Sequence, residues 1–191
     1  MSNLQIKTQA HPDTWISIPL TDSTINKDTL EAFISSNDIT LEQITHIKIP
    51  EGVTLIGSYA FIGCSSLAQI EIPAGVTSIG DHAFQDCSSL VQLEIPASVT
   101  LIGDYAFKGC RSLVQLEIPA SVTSIGDHVL WGCDGLKYVI APQALHARLR
   151  DQVGEGVVII TRDDTSENRQ QLKAVLKGEY GLTPQELDGK T

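Results

Sequence analysis

The stretch Leu93–Cys133, LEIPASVTLIGDYAFKGCRSLVQLEIPASVTSIGDHVLWGC, says nearly the same thing twice. Aligning the chain outward from it puts proline at 50, 73, 96, 119 and 142, a constant step of 23. Cysteine keeps the same step at Cys64, Cys87, Cys110 and Cys133, and glycine at Gly57, Gly80, Gly103 and Gly126. A fixed period of this length marks a solenoid, in which each repeat is one coil. Four full repeats run from about Thr45 to Leu136; a fifth starts with KYVIAP at Lys137 and then departs.

One repeat can be read physically. Val91 to Ile95 alternates, with Leu93 and Ile95 on one face and Gln92 and Glu94 on the other, as in a short strand with one buried face. Pro96 ends it because proline brings no N–H to a ladder. Val99 and Ile102 turn inward, and Gly103 supplies either an unusual conformation or a close approach. Asp104 is expected to cap a short helical turn carrying Ala106 and Phe107, and Cys110 and Leu113 close the coil. One coil cannot bury its apolar positions alone. Coils stacked about 4.8 Å apart turn them into continuous columns. One such column is Phe61, Phe84 and Phe107, ending in Leu130. The expected architecture is an α/β solenoid, with a parallel strand ladder on one face, short helical turns on the other, and helical caps.

The segment Leu90-x-x-Leu93-x-Ile95 fits the leucine-rich-repeat strand pattern. The fuller text, I-x-I-P-x-x-V-T-x-I-G-D-x-A-F-x-x-C-x-S-L, resembles the BspA-type leucine-rich repeat of bacterial surface proteins and protist proteins. The match spans about Ile44 to Pro142. The resemblance implies protein binding or adhesion rather than catalysis. It also implies two further settings: a bacterial effector delivered into a host cell, acting in virulence, or a surface adhesin without its export signal.

Residues 1–43 depart from the repeat and read as an N-terminal cap, with TWISIPL as a strand and INKDTLEAFISSN as a helix capped by Asp28. Residues 44–141 are the repeats. Residues 142–162 read as a C-terminal cap, QALHARLRDQV as helix and GVVIIT as strand. Residues 163–191 read as a further helix, SENRQQLKAVLKGEYG, and a tail; this segment could carry a delivery signal or an activity of its own.

The net charge of −10 argues against nucleic-acid binding, which needs basic patches, and against anionic membranes. No apolar run approaches the roughly 18–20 residues that span a bilayer. MSNLQIKTQAHPDTW lacks the pattern of a secretory signal, so the chain is expected to be cytoplasmic as synthesised, with signal-independent export into a host cell as the alternative. A monomer is expected.

The cysteines lie in a row, the first and last about 14 Å apart at strand spacing, so they cannot share one zinc ion. They read as buried thiols, and neither a metal nor a cofactor is expected. Two outward rows on the strand face are candidates for binding a protein partner: Gln69, Gln92 and Gln115, flanked by His46 and Tyr138, and Glu71, Glu94 and Glu117, with Lys48 at the start. A solvated face copied by duplication would look the same. On the other side TLIGSYAF, TSIGDHAF, TLIGDYAF and TSIGDHVL alternate leucine with serine and tyrosine with histidine, so the copied unit spans 46 residues. Trp131 breaks the pattern, as a cap contact or an interface anchor. No nucleophile-elbow, zinc-protease, P-loop or dinucleotide motif is present. The reading is a non-catalytic protein-interaction module, with activity in the C-terminal segment as the competing one.

Overall fold

The computed structural model describes residues 3–161; the helix and tail expected beyond 162 lie outside them. The period becomes a solenoid of stacked coils with two parallel ladders. One is continuous: β3 (Thr24–Ile25), β5 (Leu55–Ile56), β7 (Ser78–Ile79), β8 (Leu101–Ile102) and β10 (Ser124–Ile125). The other comes in two parts. β1 (Asn3–Thr8), β2 (Ile16–Pro19), β4 (Ile44–Lys48) and β6 (Gln69–Glu71) form the first part; β9 (Gln115–Glu117), β11 (Tyr138–Ala141) and β12 (Val158–Thr161) form the second. Between them, residues 92–94 form no regular strand and hold only an isolated bridge, Glu94 to Glu117.

The core consists of the expected columns. Phe61, Phe84 and Phe107 are fully buried and stacked, with ring centroids 5.3 and 5.6 Å apart. Three of the buried cysteines donate their S–H to a phenylalanine carbonyl of the preceding coil: Cys87 to Phe61 and Cys110 to Phe84 at 3.3 Å, Cys133 to Phe107 at 3.1 Å.

Opposite the first ladder the chain makes tight turns, not the helical turns expected, with three-residue bonds such as Lys108 N–H to the Tyr105 carbonyl at 3.1 Å. Asp104 does not cap its own turn. Its carboxylate accepts from the Asp127 N–H of the next coil at 2.7 Å, just as Asp81 accepts from Asp104 at 2.8 Å. Turn-side backbone donors point forward along the stack: Tyr105, Phe107 and Gly109 N–H reach the Asp127, Val129 and Trp131 carbonyls at 2.9, 3.1 and 2.9 Å. On the continuous ladder they point backward, as Thr100 N–H to Thr77 O at 2.9 Å and Gly103 N–H to Ile79 O at 2.8 Å. Gly103 serves close approach: a Cβ there would lie 2.3 Å from the Asp81 carboxylate and 2.6 Å from its backbone nitrogen.

Strands stand at both ends of the sheet. β1 pairs antiparallel with β4, and β2 folds back on β1. Helix α1 (Lys27–Asn37) is capped by Asn26, whose side chain accepts from Thr29 N–H at 3.0 Å; Asp28 sits in the first turn. At the C-terminal end a 3-10 turn (Gln143–Leu145) leads into the five-residue helix α2 (His146–Arg150), and β12 adds in parallel to β11.

Candidate protein-binding surfaces

The strand face is built by register. His46 pairs with Gln69 and Lys48 with Glu71 across β4 and β6; Gln115 pairs with Tyr138 across β9 and β11. Gln69, Glu71, Gln92, Glu94 and Glu117 are exposed, and Gln115 is half-buried. Lys48 Nζ lies 2.9 Å from the Glu71 carboxylate, so the acidic row is neutralised at its N-terminal end. Tyr138 departs from its expected place at the rim. It is only 4% exposed, lying between Gln115 and Val158 in the ladder, and its hydroxyl donates to the Gln115 side-chain oxygen. A phenol buried with its hydroxyl satisfied is a wall of the fold rather than a landing point.

The turn side carries a second surface. Tyr59, His82, Tyr105 and His128 stack with ring centroids 4.7, 4.8 and 5.1 Å apart, and Trp131 continues the row 5.0 Å from His128. All four stacked residues have left-handed backbone, φ 55–61°. Trp131 is 55% exposed, and Lys108 Nζ lies 5.3 Å from its ring centroid. Trp131 thus belongs to the turn side, and the expected partner-binding residues do not converge on one site. The tyrosine–histidine alternation was the visible trace of this row; its backbone strain has no signature in the residue types.

Beyond Trp131, where the fourth turn meets the loop after α2, lies a cavity of about 590 Å³. Leu130, Cys133, Leu136 and Val157 give it an apolar floor, and Asp134, Asp151 and Glu155 stand at it. Burial pushes the Cys64 and Cys133 thiols up to about 12, and those of Cys87 and Cys110 well above their ordinary value. Such thiols are poor nucleophiles and poor metal ligands. Among the described residues, no group of three or more His, Cys, Asp or Glu is placed to hold a metal ion, and no helix is long and apolar enough to cross a membrane.

The family model described as "BspA type leucine rich repeat region (6 copies)" matches residues 32–149. The chain belongs to this family. No curated protein sequence matches it. Among solved structures, the BspA-type chain is similar to a leucine-rich repeat protein of Bacteroides ovatus, at 26% identity and a TM-score of 0.53, over 62% of this chain and 42% of that one. A leucine-rich repeat protein of T. pallidum aligns at 28% identity and a TM-score of 0.51, over 69% and 70% of the two chains. The pneumococcal vaccine antigen PcpA aligns at 25% identity and a TM-score of 0.51, over 64% and 31%. The chain therefore spans less than half the length of the B. ovatus protein.

Proposed function

We propose that this BspA-type chain is a non-catalytic module that binds a protein partner through its strand face. The observation that carries the reading is the exposed row Glu71, Glu94 and Glu117 beside Gln69 and Gln92, held on a preformed solenoid. Rigid coils lose little conformational entropy on binding, and a carboxylate row favours a basic partner surface. Lys48 pairs with Glu71 at one end, and Glu94 and Glu117 lie further along the row. The family match and the absence of an enzymatic motif in the sequence support binding over catalysis.

The test is charge reversal. Glu94→Lys together with Glu117→Lys should weaken capture of the partner by about ten-fold or more, about 1.4 kcal/mol, while the melting temperature of the variant stays near that of the parent. Undiminished binding by the double variant removes the strand face from the reading.

A further inference from the structure

The turn-side ladder runs out at the cavity. In every preceding coil three alternate N–H groups donate to carbonyls 22 residues ahead: Tyr59, Phe61 and Gly63 to Asp81, Ala83 and Gln85, then His82, Phe84 and Asp86 to Asp104, Ala106 and Lys108, then Tyr105, Phe107 and Gly109 to Asp127, Val129 and Trp131. The equivalent donors of the fourth coil are His128, Leu130 and Gly132. Continuing the step would bring them to residues 150, 152 and 154, but there the chain is leaving α2 and no carbonyl is offered. Among the described residues these three N–H groups have no acceptor, and all three residues line the cavity.

The protein already places one amide at this edge. The Gln152 side chain accepts from Val129 N–H at 2.8 Å and donates to the Gly126 carbonyl at 2.9 Å. A side-chain amide thus bridges the last turn between Gly126 and Val129, where earlier coils bond directly, Ala60 to Gly57 at 3.3 Å and Ala83 to Gly80 at 3.4 Å. The row His128, Leu130, Gly132 remains, set in tight turns like the rows before it, with His128 at φ 55° and Gly132 at φ 75°.

We infer that this edge is a second docking site, which takes a basic peptide segment of a protein partner. Its carbonyls accept from His128, Leu130 and Gly132, as each coil's turn carbonyls accept from the coil before it. Its lysine or arginine side chains meet Asp134, Asp151 and Glu155, none of which is in an ion pair among the described residues. The exposed Trp131 ring adds a cation–π wall, an affinity it already shows for Lys108. The chain's own segment beyond 161 is the competing occupant, and the test below separates the two.

The experiment is NMR on the full chain, labelled with ¹⁵N, titrated with a capped octapeptide alternating lysine and serine. The amide resonances of His128, Leu130 and Gly132 should shift saturably. An octapeptide alternating glutamate and serine should leave them in place. Asp134→Asn, Asp151→Asn and Glu155→Gln together should weaken the lysine peptide ten-fold or more. Glu94→Lys with Glu117→Lys should leave the titration unchanged, which separates this site from the strand face. No saturable shift, or one that survives the triple neutralisation, overturns the proposal. So does a shift that appears only after Arg169, Lys173 and Lys177 are changed to glutamine, because the edge would then be covered by the chain itself.

Discussion

Tyr105 shows how a single residue is held against its own preference. Its φ of 56° lies in the left-handed region, which costs a side chain with Cβ roughly 1–2 kcal/mol. It stays there because its N–H donates to Asp127 O at 2.9 Å and its ring is stacked between His82 and His128. Tyr105→Ala loses the stacking and keeps the strain; Tyr105→Gly loses the stacking and the strain together. Urea unfolding should therefore find the glycine variant more stable than the alanine variant by about 1 kcal/mol. The reverse order would show that the backbone there is not strained. The cysteines make a pH argument at the same scale. Burial raises the folded thiols of Cys64 and Cys133 from 9.0 to about 12, so above pH 9 the unfolded chain loses its protons first. Their contribution is intact below pH 9 and is lost as pH rises toward 12. The melting temperature should fall across that window, and thiol reagents should label the native protein slowly and the denatured protein fast.

Among the elements, the segment at 92–94 is the weak member. Its text, VQLEIP at 91–96, is the same as that at 114–119, yet one is a bridge and the other a strand. Val91 beside it is 52% exposed. Amide hydrogen exchange should find residues 92–94 exchanging faster than 115–117 and 138–141, since unladdered backbone opens locally at lower cost; equal protection would refute the break. The sequence carried the coil, its core columns and the continuous ladder, because those follow from a period repeated in register. It could not carry this break, because identical residues met different neighbours. Nor could it assign Asp104, whose carboxylate serves the next coil's backbone rather than its own turn, or bury Tyr138, whose depth depends on β12. β1 escaped because NLQIKT lies outside the period and pairs with a strand some forty residues on. Of the candidate site, the outward glutamates were legible from alternation, whereas the stacked aromatic row and the unanswered donors at its end are properties of stacking.

For the whole molecule, the decisive places are the ends of the stack. Gln152 closes part of the C-terminal end by answering the buried Val129, and Arg148 takes the last carboxylate of the aspartate series, Asp127, at 2.8 Å. Removing the amide leaves an N–H without a partner, so Gln152→Ala should cost about 1–3 kcal/mol in denaturant unfolding. Gln143→Ala, which removes only an exposed bond to Thr161, should change stability by less than about 0.5 kcal/mol. Equal losses from both would deny Gln152 its special place.

The opposed directions of the backbone donors on the turn side and on the continuous ladder have an electrical consequence. In an α-helix all peptide dipoles align, and a fixed charge of about half an electron accumulates at each end. Here the turn-side peptides point forward along the stack and the ladder peptides point backward, so their dipoles oppose one another along the axis. Each coil added to such a stack brings peptides of both directions on these two rows, so their axial dipoles offset instead of accumulating.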